Sequence, residues 1–409
     1  MTSGRARPAA TVVDARLTVE RVVAGGDGLA RQPDGRVVFV PGALPGEQVD
    51  VRIVGAKKDF ARAALAHVVA SHAGRVEPPC PAWHRGCGGC DWQHADASLQ
   101  LAMKVDIVRE ALHRTGRIAE PEVVAGGAVA PWAYRTTMRF ALDGRGRPSL
   151  HRSRSTDVVP LDDCLVAHPG ITDLLPVLRL PGAEEVTLRV SAATGERTAW
   201  WTPASTRPVG LPDDVRTGAD AELVEHVAGV PLRVRAASFF QSGPSAAALV
   251  VETVHTLCGD ELRGARRVVD AYGGIGLFSA TIVPSATDVE LVEASPSACA
   301  DAVHNLAARD AESTVTNCLL EDWTPTRADL VIADPTRQGL GAAAVERLVA
   351  TGAPTIVLVS CDPVALARDA TLLRTQGFEP GATVVIDLFP QTHHVESVTR
   401  FDRIGPRGS

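Results

Sequence analysis

Two short motifs carry the residue types best suited to covalent chemistry. Ser360-Cys361-Asp362-Pro363 sets a thiol among polar residues at a proline turn, directly after the apolar run Thr355–Ser360. A thiol in that setting is a candidate nucleophile. Phe389-Pro390-Gln391-Thr392-His393-His394-Val395-Glu396 follows the apolar run Thr383–Ile386 and offers Glu396 as a general base. His393 and His394 are neighbours, and adjacent side chains on a strand point to opposite faces, which disfavours a shared metal. A third motif, Asp334-Pro335-Thr336-Arg337, follows the apolar run Ala328–Ala333. If these runs are parallel strands, Asp334 and Cys361 both lie at carboxyl ends, where open α/β sheets bind ligands.

A glycine-rich turn supplies a candidate cofactor site. Val268-Val269-Asp270-Ala271-Tyr272-Gly273-Gly274-Ile275-Gly276-Leu277-Phe278-Ser279 reads as strand, turn and helix, and Glu293 ends the next apolar run about twenty residues on. Glycines let the backbone come close to an adenosine cofactor, and a carboxylate at that distance suits ribose hydroxyls. The turn by itself fits a nicotinamide cofactor, S-adenosylmethionine or no ligand at all.

Eight cysteines need a reason other than disulfides if the chain works in a reducing compartment. Cys80, Cys87 and Cys90 are interleaved with Gly86, Gly88 and Gly89, and Cys164 stands alone downstream. Four thiolates suit tetrahedral zinc or an iron–sulfur cluster. Zinc more naturally uses two C-x2-C pairs, so three close cysteines plus a distant one favour the cluster. Cys258, Cys299 and Cys318 fall in or beside apolar or helical stretches and read as packing residues.

The elements that must position these groups are of two kinds. Short β-rich runs at Arg16–Val23, Arg36–Val40, Gln48–Val54 and Phe60–Val69, separated by Gly/Pro/Asp turns, predict a small barrel. Ala95–Arg114 has helical spacing of Leu99, Met103, Ile107 and Leu112. From about Ser238, apolar strands (Arg267–Ala271, Asp288–Glu293, Ala328–Ala333, Thr355–Ser360) alternate with helices (Ala246–Leu257, Ser297–Ala308, Ala342–Ala350). That alternation predicts a doubly wound parallel sheet. Residues 120–235 are mixed and Pro-rich, with strand-like pieces at Met138–Leu142 and Val186–Val190.

The chain has 409 residues, 45% hydrophobic and 22% charged, enough for two or three domains and unlike a disordered protein. No apolar run approaches the ~18 residues of a membrane span, and Met1–Pro8 lacks the apolar core of a secretion signal. A cytoplasmic location is the expectation. Net charge is −7, which speaks against general nucleic-acid affinity. The distribution is uneven: residues 1–75 hold 11 basic against 7 acidic residues, a local surplus that could grip RNA.

Taken in order along the chain, these motifs resemble the TRAM-domain, iron–sulfur-containing RNA uridine-5 methyltransferases, which are class I S-adenosylmethionine-dependent enzymes. Gly25-Gly26-Asp27-Gly28 and Val37 through Glu47 resemble the TRAM barrel, an OB-type RNA-binding fold. Ser238-Phe239-Phe240-Gln241 resembles the family's Phe-Phe-Gln box. The resemblance implies that Gln241, Tyr272, Glu293 and Asp334 bind the cofactor, that Cys361 is the nucleophile and that Glu396 is the base. It also implies that Cys80, Cys87, Cys90 and Cys164 hold a [4Fe–4S] cluster. The chain departs from the family pattern at several points: six residues rather than five between Cys80 and Cys87, Ser242-Gly243 in place of an Asn, Thr336, Asp362, and Thr136 after Tyr134-Arg135.

The fold so implied is a carboxyl-terminal Rossmann-like methyltransferase sheet, a central α+β domain with an iron–sulfur loop, and an amino-terminal OB-type β-barrel. Its expected divisions are a disordered lead (1–10), the barrel (11–74), the central domain (75–94 and 117–236), a helix packing on the methyltransferase domain (95–116) and that domain itself (237–409). The implied reaction is methylation of uridine carbon-5 in structured RNA, rRNA favoured over tRNA, through a Cys–carbon-6 adduct. RNA is the expected partner, with no membrane, no obligate protein partner and a monomeric chain. Two rivals differ in class. A non-catalytic RNA-binding paralogue or chaperone would bind RNA without cofactor affinity. A redox or sulfur-transfer enzyme would pair the cluster with a Rossmann-like nicotinamide site, and in its radical S-adenosylmethionine form would want C-x3-C-x2-C and an open iron site.

Overall fold

The computed structural model describes residues 14–404; the expected disordered lead lies outside them. Two compact units emerge. One comprises residues up to Pro78 with Asp91–Met103 and Gln391–His393; the other comprises Pro79–Cys90, Lys104–Pro390 and the chain from His394 onward.

In the first unit, strands β1 (Asp14–Val22), β2 (Gly28–Arg31), β3 (Val37–Val40), β4 (Gln48–Ala56) and β5 (Phe60–Ala70) close into a barrel in the order β1-β2-β3-β5-β4. Alternate residues point inward, so Leu17, Val19, Val38, Val40, Val49, Val51, Ala61 and Ala63 fill it. Strand β2, Gly-Leu-Ala-Arg, lacks the β-branched signature and was not expected. Gly28 is required there, because a Cβ would stand 2.8 Å from the Ala43 carbonyl. Buried Glu47 accepts from Leu44 N (2.8 Å), His72 N (3.1 Å) and Arg75 Nε (2.6 Å). Burial opposes its charge, yet Arg75 and these amides hold the carboxyl below its ordinary range. Within the same unit Trp92 N donates to Gln391 O (2.9 Å), Gln391 N to Gln100 Oε1 (2.7 Å), and Asp91 takes both the backbone N–H (3.1 Å) and Nδ1 (2.6 Å) of His393.

The second unit begins with α1 (Pro81–His84); α2 (Ala97–Arg114) is followed by β6 (Val123–Ala128). A six-stranded sheet is built from β7 (Thr137–Leu142), β8 (Pro148–His151), β9 (Val158–Pro160), β10 (Glu185–Val190), β11 (Arg197–Thr202) and β12 (Val215–Thr217), with α3 (Pro169–Thr172) before β10. A hairpin, β13 (Glu222–Val227) and β14 (Val230–Arg235), follows.

Beyond it run α4 (Pro244–Gly264), β15 (Arg267–Ala271), α5 (Leu277–Thr281), β16 (Asp288–Glu293), α6 (Pro296–Leu306), β17 (Ser313–Asn317), β18 (Leu330–Ala333), α7 (Gly341–Ala350), β19 (Thr355–Ser360), α8 (Pro363–Thr375), β20 (Phe378–Asp387) and β21 (Glu396–Arg403). Their sheet has eight strands in the order β17-β16-β15-β18-β19-β21-β20-β6. The first five pair in parallel, as the alternation predicts. The sheet as a whole is mixed, because β21 returns antiparallel to β19, and β20 is antiparallel to β21. Strands β18 and β19 are buried along their whole length, which is why they read as unbroken apolar runs. The point where order reverses, between β15 and β18, is where such sheets take ligands.

Candidate active site and cysteine cluster

The glycine turn leaves β15 at Ala271. Tyr272 already has φ 58, and Gly274 and Gly276 follow at φ 55 and 85. That left-handed stretch explains the glycines, since side chains seldom adopt it. Gly273 is constrained differently: a Cβ there would stand 2.5 Å from Leu291 Cγ. Glu293 stands at the end of β16. Its Oε2 accepts from Gly274 N (3.0 Å) and its Oε1 from Ser295 N (2.7 Å), so one carboxylate ties the turn to the start of α6.

Beneath the turn lies Asp270, unassigned in the sequence reading although it sits in the quoted motif. It is 1% exposed; Oδ2 accepts from Ser279 Oγ (2.5 Å) and N (3.2 Å), and Oδ1 has no partner. Burial pushes its carboxyl up to about 6, against the Ser279 bonds and with help from Glu293.

Asp334 leaves β18 beside this point, and its Oδ2 accepts from Gln241 Nε2 at 3.4 Å. Gln241 is buried and Asp334 half-buried. Burial, then the charge of Asp270, raises the Asp334 carboxyl to about 7. Tyr272, Gln241, Glu293 and Asp334 therefore line one end of the parallel sheet.

Cys361 and Glu396 meet by register. Ser360 of β19 is paired with Ser397 of β21, so Cys361 and Glu396 occupy the next rung. Glu396 is 4% exposed and its Oε1 has no hydrogen-bond partner. Burial, reinforced by Asp334, raises its carboxyl well above the ordinary range. Burial and then the Glu396 and Asp334 charges push the Cys361 thiol up to about 12. Arg337 is exposed and is the positive charge that opposes both shifts. It was quoted in its motif without a role. Asp362, the residue that departs from the family pattern, caps α8 by accepting from Val364 N (2.9 Å) and Ala365 N (2.8 Å). The turn before Glu396 is anchored by buried Lys104, which donates to Asp387 Oδ1 (2.7 Å) and Phe389 O (3.1 Å).

The glycines of the cysteine loop are closely packed. A Cβ on Gly88 would stand 2.6 Å from Ser153 N, and one on Gly89 2.7 Å from Leu150 Cδ1. Cys80 and Cys164 belong to the buried core, and Cys87 and Cys90 pack against it. The Cys87 thiol is raised by burial and by Cys80; Cys164 is raised to about 11 by burial and then by Cys87 and Cys80. Cys80, Cys87 and Cys164 thus lie near enough to act on one another, while Cys87 and Cys90 are only half-buried. Among the described residues, no three His, Cys, Asp or Glu side chains are gathered as a site for a metal ion. Cys258 behaves as a packing residue, fully buried with Sγ 3.1 Å from Val254 O.

The arrangement is that of a Rossmann-like methyltransferase sheet accompanied by a small closed barrel. A TRAM domain model matches residues 15–66. The chain is 33% identical to an RNA methyltransferase of Streptomyces avermitilis, over 92% of this chain and 95% of that one. It is 31% identical to the 23S rRNA (uracil(1939)-C(5))-methyltransferase RlmD of Chromohalobacter salexigens, over 96% and 90%. The same fold occurs in the Pyrococcus abyssi tRNA (uracil-54, C5)-methyltransferase solved with S-adenosyl-L-homocysteine (TM-score 0.72, 22% identity, 95% and 100% covered). The chain belongs to the TRAM-domain RNA methyltransferases.

Proposed function

We propose that this chain methylates carbon-5 of uridine in structured RNA, with S-adenosylmethionine as methyl donor, by way of a covalent Cys361–carbon-6 adduct. The observation that carries the reading is the β19/β21 register, which brings a thiol to a buried carboxylate whose Oε1 has no hydrogen-bond partner. Ribosomal RNA is favoured as substrate, because a relative 31% identical over nearly the whole chain is a 23S rRNA enzyme. A cytoplasmic, monomeric enzyme fits this role, and no helix among the described residues is long and apolar enough to cross a membrane.

Carbon-5 of uracil is a weak nucleophile. The Cys361 thiol gives up its proton to solvent and the thiolate adds to carbon-6; the electron pair displaced from the double bond makes carbon-5 enolate-like, and carbon-5 forms the bond to the methyl carbon. S-adenosylmethionine, when bound, supplies an electrophilic methyl group and departs as S-adenosylhomocysteine. The Glu396 carboxylate then removes the carbon-5 proton, the double bond reforms, and the Cys361 thiolate is expelled. Arg337 favours the anionic forms of both residues. Gln241, Tyr272, Glu293 and Asp334 hold the cofactor, Glu293 exchanging its amide contacts for ribose hydroxyls. Carbon-6 is shielded inside a stacked helix, so the target uridine is flipped out or lies in a loop.

Cys80, Cys87, Cys90 and Cys164 would hold a [4Fe–4S] cluster that joins the loop to the central sheet. The burial of Cys80 and Cys164 and the influence of Cys80, Cys87 and Cys164 on one another support this assignment. The functional test is transfer of label from S-adenosylmethionine to RNA taken from cells lacking this protein. Wild type labels the RNA and Cys361→Ala does not. No labelling by wild type, or equal labelling by Cys361→Ala, contradicts the reading.

A further inference from the structure

Three separate pieces of chain make up the cofactor pocket: the glycine turn, the Glu293–Ser295 corner and the Ser238–Gln241 arm. The first two are joined by the β15/β16 pairing and by the Glu293 carboxylate, but the arm comes from outside that pairing and needs a separate tie to them. Helix α6 provides it. It starts at Ser295, whose hydroxyl caps it by accepting from Ala298 N, and carries Asp301 and Asn305 one turn apart on one face.

Asn305 uses both ends of its amide. Oδ1 accepts from Arg233 N (2.8 Å), while Nδ2 donates to Arg233 O (3.1 Å) and to Ile275 O in the glycine turn (2.9 Å). Asp301 is fully buried and accepts from Ser238 Oγ (2.7 Å), Arg235 N (2.9 Å) and Arg233 Nε (3.0 Å). On the other side of Ser238, buried Arg189 donates to its carbonyl at 2.7 Å. The arm that ends in Gln241 is thus held at both its hydroxyl and its carbonyl, and the turn is held at Ile275.

We infer that Asp301 and Asn305 are positioning residues for the cofactor, fastening the glycine turn and the glutamine arm to the helix that follows Glu293. This rests on the reading that the pocket takes S-adenosylmethionine. Neither side chain touches the cofactor; each sets the separation of groups that do. Cofactor affinity, not the chemical step, is what they govern.

The test is calorimetric titration of S-adenosylhomocysteine into the full chain, paired with kcat and the KM for S-adenosylmethionine. Asn305→Asp keeps the acceptor but loses both donors, and Asp301→Asn keeps shape while removing charge. Each is expected to raise Kd and KM about tenfold, the worth of one hydrogen bond of this kind, with kcat at saturating cofactor within about twofold of wild type. Ser238→Ala removes a single hydroxyl and serves, on Kd alone, if either of the others fails to fold. Variants with a lower Tm but wild-type Kd and KM would make the residues merely structural and overturn the inference. Wild type that fails to bind S-adenosylhomocysteine would overturn the cofactor reading itself.

Discussion

Ser397 donates from its hydroxyl to the Ser360 carbonyl at 3.1 Å, across the antiparallel rung where the two residues face each other. One rung further on stand Cys361 and Glu396. A strand shifted by a single residue would turn either side chain to the opposite face. The pairing therefore does more for the site than either motif alone.

Removing the members of that rung separates two steps. Cys361→Ala is expected to abolish methyl transfer. Glu396→Gln is expected to slow turnover about 10²- to 10⁴-fold, the range for a general base, and to leave methylated RNA attached to protein. Denaturing gels with labelled RNA read the difference.

Asp270 makes a prediction about stability and pH. Its folded value of about 6 lies above the ordinary 3.8, so between roughly pH 4 and 6 the folded state binds more protons than the unfolded one. Stability from this site is fully present below pH 4 and is lost as pH rises through 6. Asp270→Asn, which keeps an acceptor for Ser279, should gain in Tm over wild type by about 2 °C or more at pH 8 and by less at pH 5. Equal differences at both values would contradict the assignment.

Gly243 closes the Phe-Phe-Gln arm, and a Cβ on it would stand 2.4 Å from the Tyr134 carbonyl. Gly243→Ala is expected to cost about 1–3 kcal/mol, as overpacking does. It should also weaken S-adenosylhomocysteine binding, because backbone must move beside Gln241. Thermal unfolding and calorimetry check the two halves separately.

For the cysteine loop the expected observation is colour. Protein purified without oxygen should be brown, with about four irons per chain. Cys164→Ser should bleach it and lower its Tm, whereas Cys361→Ser should leave the colour unchanged. A colourless protein carrying one zinc would replace the cluster with a different centre.

The legible parts of this chain share a physical reason. Arg267–Ala271, Asp288–Glu293 and Thr355–Ser360 match β15, β16 and β19 residue for residue, because strands buried on both faces read as apolar runs. β17, Ser-Thr-Val-Thr-Asn, is a polar edge strand and gave no such run. α8 lacks a clean apolar stripe, and its sequence marks are local ones, Asp362 as cap and Pro363 at the first helical position. β6 pairs with β20 from some 260 residues away, a relation that no local pattern encodes. The site was legible as motifs. Its geometry was not: the Cys361–Glu396 rung, the carboxyl group of Asp270 beneath the turn, and the Asp301 and Asn305 braces all depend on register and packing.

The covalent adduct is tested most directly with RNA in which 5-fluorouridine replaces uridine. After attack by Cys361 and methyl transfer, carbon-5 would carry fluorine where Glu396 needs a proton, so elimination stops. Incubation with S-adenosylmethionine should then give a protein–RNA complex that survives denaturing electrophoresis, in wild type and not in Cys361→Ala. No complex with active wild-type protein, or an undiminished complex with Cys361→Ala, would contradict the account.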